Sequence, residues 1–211
     1  MSETNEISIV DQPVTAMTAS VWTDKKLFDQ TLRAADMLSK TSLVPQNYQG
    51  KPQDCFLALE IAGRMNLSPM FVMQNMYMVK GKPSWAGQAC MTLINQCGKF
   101  TDVKVVYTGT KGKDDRGCFI RATRLSDGET VDGTEVTLKM AAAEGWTSNT
   151  KWRNMPEQML AYRAASFFAR IHCPESMMGA QTVEEMEDVA KVRSTAQRIK
   201  DAIKAEGNEK K

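Results

Sequence analysis

Several stretches of this chain combine residue types that could do chemistry. Lys80-Gly81-Lys82-Pro83-Ser84-Trp85 and Lys151-Trp152-Arg153 set cations beside a tryptophan. Cations neutralise phosphates, and an aromatic face stacks a base whatever its identity. Arg163 and Arg170 lie seven residues apart, close to two helical turns, so they share one helix face. His172 adjoins Cys173, and Glu184, Glu185, Glu187 and Asp188 form the densest acidic cluster.

Each of these has a plainer reading beside the chemical one. Trp85 and Trp152 could anchor the core and leave the lysines on a nearby surface. Arg163 and Arg170 sit among Met159, Leu160, Ala164, Ala165, Phe167, Phe168, Ala169 and Ile171. Arginines in so apolar a setting need partners, either buried carboxylates or bound phosphates. The acidic cluster could hold magnesium for a nuclease, but a solvated helix start, where acids complement the macrodipole, explains it adequately. Neighbouring side chains on a helix point apart, which argues against a Cys173–His172 nucleophile pair. His172 is the one histidine of the chain, and at a helix end it reads as a capping or packed residue. The nearest approach to a phosphate-binding P-loop, Gly109 to Asp114, has the wrong spacing and last residue. No catalytic, metal or cofactor site stands out.

The net charge of +2 hides an uneven distribution. Residues 80–125 carry nine basic side chains, among them Lys80, Lys82, Lys111 and Lys113, against three acidic ones. Residues 1–60 carry five basic and eight acidic side chains. A local basic concentration in a nearly neutral chain points to one surface that meets a polyanion. The five cysteines form no C-x-x-C pair and mostly lie in apolar runs, as reduced thiols of a cytosolic protein would. Nothing resembles a secretory signal or a membrane span.

The elements that would position these residues follow from periodicity. Residues 1–20 are polar and read as a disordered tail. Helical spacing predicts helices over 24–39, with Thr23 as N-cap, and over 53–65, ending at Asn66. A short strand around Met76–Val79, a Lys80–Pro83 turn and a helix from Trp85 to Cys97, capped by Ser84, come next. Strands over 102–107 and 118–125 flank a Gly- and charge-rich loop, and a third is expected over 129–136. A short helix over 137–144 precedes a long one from Pro156 to His172, with proline in its first turn. A last helix spans about 183–205. This is an α+β chain: a small antiparallel sheet with a hairpin packed against helices, a long central helix, and helical arms at both ends. Residues 21–180 form the expected core, and 181–211 a C-terminal helix and charged tail.

With these residues in order, the chain resembles the RecT/Red-beta family of phage single-strand annealing proteins. The likeness runs from about Phe56 to Glu187. It is carried by FLALEIAGRMNLSPM (Phe56–Met70), by MYMVKGKPSWAGQACMTLINQCGKF (Met76–Phe100), and above all by W-x-x-x-P-x-x-M-L-x-x-(R/K)-A-x-x-x-x-A-R. The last is met by Trp152, Pro156, Met159, Leu160, Arg163, Ala164, Ala169 and Arg170.

The resemblance implies a protein that assembles into rings or helical filaments and holds single strands in a basic groove. It implies that Arg163 and Arg170 occupy basic positions that face DNA, and Trp152 matches the tryptophan of the Red-beta branch. Glu157, Gln158 and Ala161 stand where the Red-beta branch has basic residues, so contacts there differ. It further implies a partner exonuclease and a host single-strand-binding protein in a bacterial cytosol. Annealing needs neither ATP nor another cofactor, because stacking of roughly 1–2 kcal/mol per base step drives pairing. The expected DNA-binding residues are Lys80, Lys82, Trp85, Lys111, Lys113, Lys151, Trp152, Arg153, Arg163 and Arg170. A single-strand-binding accessory protein that does not pair strands is the alternative, and a metal-dependent nuclease a more distant one.

Overall fold

The computed structural model describes residues 20–194 and residue 197. Nearly all of the expected N-terminal tail, and the end of the expected last helix with its charged tail, lie outside the described residues. The chain opens with a helical hairpin, α1 (Lys25–Ser39) and α2 (Pro52–Arg64). Asp24, not Thr23, caps α1: its carboxylate accepts the Leu27 N–H at 3.0 Å, while Thr23 donates its hydroxyl back to Ser20. Phe56 joins the two helices, with ring centroids 5.5 Å from Trp22 and 5.1 Å from Phe28. Asn66 adopts the left-handed conformation expected after α2.

The next stretch departs from the sequence reading. Pro69 starts a short helix, α3 (Pro69–Asn75). A tight hairpin of β1 (Met76–Val79) and β2 (Lys82–Trp85) follows, turning on Lys80 and Gly81, both at positive φ. Lys82 to Trp85 are therefore strand, and α4 begins later than expected, at Ala89, and runs to Gln96. Pairing of β2 with β1 and, in parallel, with β7 (Gln181–Thr182) outweighs the capping propensity of Ser84.

The second sheet is antiparallel: β3 (Phe100–Thr108), β4 (Gly117–Arg124), β5 (Thr130–Asp132) and β6 (Val136–Thr137). The expected third strand is split at Gly133. There the backbone passes so close beneath the long helix that a Cβ would lie 2.8 Å from the Phe168 ring.

Helix α5 (Leu138–Ala143) is capped by the Thr137 hydroxyl, and a 3₁₀ turn (Trp146–Ser148) and α6 (Lys151–Asn154) lead to α7 (Pro156–His172). A one-turn helix, α8 (Pro174–Met177), and α9 over residues 183–194 complete the described fold.

The fold is α+β, in two small sheets where one was expected. Its centre is the packing of α7 on β4. The strand alternates, and Cys118, Ile120 and Ala122 are sealed beneath the helix. From α7 come Leu160, Ala164, Ala165, Phe168 and Ala169. The alanines let helix and sheet approach closely, and burying Leu160 and Phe168 contributes roughly 1.5–3 kcal/mol each. Residues 181–188 belong to this core: β7 extends the first sheet, and Glu185 and Asp188 are buried.

Candidate nucleic-acid interface

The α7 arginines turn towards protein. Arg163 is 6% exposed, and its guanidinium is paired with the carboxylate of Asp188, which is 0% exposed. Asp188 also accepts the Trp152 indole N–H and the Asn149 amide, each at 3.0 Å. Arg163 lies 3.9 Å from the Trp146 ring centroid and 5.7 Å from that of Trp152, within cation–π reach. Burial pulls the Arg163 pKa below the ordinary arginine value, with Glu185 and Asp188 opposing. A guanidinium keeps its proton regardless.

Arg170 donates to Glu185 Oε2 at 2.6 Å and to Ser166 Oγ at 3.1 Å. The Glu185 carboxylate also accepts from the Ser166 hydroxyl and the Thr182 N–H.

The acidic cluster thus has a different role from the solvated helix start expected of it. Glu184 accepts the Gly87 N–H at 2.8 Å, and burial raises its pKa. Glu185 takes Arg170, Glu187 takes Lys151 at 3.3 Å, and Asp188 takes Arg163. The start of α9 is a row of carboxylates, bound to α4's approach, α6 and α7. Glu185, Asp188 and Trp146 were not singled out as partners. The available signal was that the acids at 185 and 188 lie three apart, hence on one helix face, like the arginines they meet.

The tryptophans are likewise core residues. Trp85 is 0% exposed, its ring centroid 6.5 Å from that of Phe71, and Trp152 is 2% exposed against Trp146. Of the two readings offered for Trp85, Trp152 and Arg163, packing is the one their positions match. A strand could reach them only if the core opened.

The remaining predicted residues face solvent. Lys80 and Lys82 flank the tip of the β1–β2 hairpin. Lys111 and Lys113 ride on the β3–β4 loop, which is itself held in place. Gly109 there has a positive φ, and a Cβ would collide with the Asp115 carbonyl 2.1 Å away. Lys139 and Leu138 donate their N–H groups to the carbonyls of Asp114 and Arg116.

Arg116, outside the predicted set, clamps this hairpin to the start of α7. It bonds Glu157 Oε1 through Nε at 3.0 Å and Nη2 at 2.6 Å, and lies 4.7 Å from the Tyr107 ring centroid. Lys111 reaches the same carboxylate at 3.5 Å. These cations hold the Glu157 carboxyl below the usual glutamate range. Lys151 and Arg153, both exposed on α6, immediately precede that first turn of α7. The geometry therefore brings Lys111, Arg116, Lys151 and Arg153 to one end of α7. Among the described residues, Lys80, Lys82, Lys113 and Arg153 form no ion pair. Arg170 is exposed, its side chain 41% accessible despite its pairing with Glu185.

Among the described residues no group of three or more His, Cys, Asp or Glu side chains could hold a metal ion. No helix among them is long and apolar enough to cross a membrane.

Two hairpins and a short helix thus present exposed cations, the kind of surface that meets a polyanion. The chain belongs to the RecT family, whose model matches residues 34–199. It is accordingly a single-strand annealing protein of DNA recombination that binds single-stranded DNA. No curated protein and no solved structure matches it.

Proposed function

We propose that this protein pairs complementary strands without ATP or another cofactor. The single-strand phosphates lie on Lys80, Lys82, Lys111, Lys113, Lys151 and Arg153, with Arg116 and Arg170 at the edge of that surface. The observation carrying this reading is that Lys80, Lys82, Lys113 and Arg153 are exposed and, among the described residues, form no ion pair, whereas Arg163 is spent on Asp188. Backbone contacts of this kind do not read sequence and weaken steeply with salt. Trp152, Arg163 and Trp85 act as framework, holding α6 and the β1–β2 hairpin in place.

In this reading the protein performs no bond-breaking chemistry. It works as a homo-oligomer, ring or helical filament, in the cytosol of a phage-infected or lysogenic bacterium, beside a phage exonuclease and the host single-strand-binding protein.

The test mixes two complementary labelled oligonucleotides with the protein, without ATP. Pairing faster than the protein-free control is expected. Binding without acceleration would leave a protective single-strand-binding protein. Magnesium-dependent shortening of either strand would instead make it a nuclease.

A further inference from the structure

Among the cysteines, one contact stands apart. The Sγ atoms of Cys97 and Cys173, which are 76 residues apart in sequence, lie 3.0 Å from each other. Each residue is the C-cap of its helix, Cys97 ending α4 and Cys173 ending α7. Beside them Lys99 and Glu175 form an ion pair of 2.6 Å across the same junction. Both thiols are free. We propose that Cys97 and Cys173 are a reversible redox pair, oxidised to an intramolecular disulfide by a low-molecular-weight disulfide.

The two sulfurs are unequal in a way that orders the steps. Cys97 is half-buried, and the next two residues, Gly98 and Lys99, line an open cavity of about 560 Å³. Cys173 is fully buried, and burial raises its pKa, followed by the neighbouring Cys97. The oxidant therefore meets Cys97 first. The Cys97 thiolate attacks one sulfur of the small disulfide, forming a mixed disulfide and expelling one thiolate. Cys173 then loses its proton and attacks the Cys97 sulfur, expelling the second small thiolate. Two protein thiols and one small disulfide become one protein disulfide and two small thiols.

In a reducing compartment the pair rests as thiols, and such cytosolic disulfides are transient and redox-sensing. The cross-link would close a loop containing the second sheet, α6 and α7, and would stabilise chiefly by restricting the unfolded chain. Cys55, Cys90 and Cys118 are buried, and none of them makes a sulfur–sulfur contact among the described residues.

The experiment treats the full chain with oxidised glutathione, which spares methionine, and maps tryptic peptides without reduction. The expected product joins the peptide ending at Lys99 to the one beginning at Ile171. The melting temperature should rise by about 5–10 °C and return with dithiothreitol. Cys173→Ser would place a hydroxyl in the core, so Cys97→Ser is the control. It should melt like the reduced protein and show no rise on oxidation. A product that stops at glutathione on Cys97, or sulfurs joined only between chains, overturns the proposal.

Discussion

The guanidinium of Arg163 and the carboxylate of Asp188 meet in the core, joining the middle of α7 to α9 from 25 residues away. Neither charge reaches solvent, and each is completed by other groups: the tryptophan faces around Arg163, the indole and amide donors on Asp188. A buried pair of this kind is a weak source of net stability but a severe loss when halved, because the survivor is left charged and unpaired.

Arg163→Ala and Asp188→Ala are therefore each expected to destabilise the protein by about 3–5 kcal/mol. Urea denaturation followed by circular dichroism checks this. A variant that keeps full stability but loses DNA binding would return Arg163 to the interface.

Alanine at Lys80, Lys82, Lys113 or Arg153 should leave the melting temperature unchanged, since none has an ion pair among the described residues. Each should lower the slope of log binding constant against log salt by about 0.7 for single-stranded DNA. Fluorescence anisotropy across a salt series measures it, and a residue whose loss leaves the slope intact does not touch phosphate.

Gly133→Ala should destabilise by about 1–3 kcal/mol. The added methyl would press on the Phe168 ring, 2.8 Å away, and that ring is sealed in the core against Phe100. Thermal unfolding provides the check, and Phe168→Leu should partly relieve the clash if ring contact is the cause.

Acid should loosen the β3–β4 hairpin. The Arg116 hydrogen bond, aided by Lys111, holds Glu157 below the ordinary glutamate range. The folded state thus binds this proton less readily than the unfolded chain. The contribution is complete above the ordinary glutamate value and is lost as pH falls through the lowered one. Glu184 has the opposite sign: burial raises its pKa, so its ionisation disfavours folding as pH rises past the ordinary value. Stability measured across the acid range should show a limb that Glu157→Gln flattens and Glu184→Gln leaves in place. Hydrogen exchange in the Lys111–Lys113 loop should quicken in Glu157→Gln.

Much of the fold was legible because it rests on local rules. The periods of α1, α2 and α7, Pro156 in a first turn and the alternation along β4 all depend on neighbours a few residues away. The motif from Trp152 to Arg170, in order with the Phe56–Met70 and Met76–Phe100 stretches, carried the resemblance to the family that the chain belongs to. Sequence also proposed the exposed lysines, since a lysine on a polar hairpin has little choice but solvent.

What it left open was whatever depends on a distant partner. Lys82 to Trp85 became a strand because β1 and β7 lie beside it, and the third strand broke at Gly133 because Phe168 sits over it. An arginine on an apolar helix is equally ready for a phosphate or a carboxylate. Only the return of α9 across α7 decided that Arg163 has Asp188, a carboxylate 25 residues further along the chain.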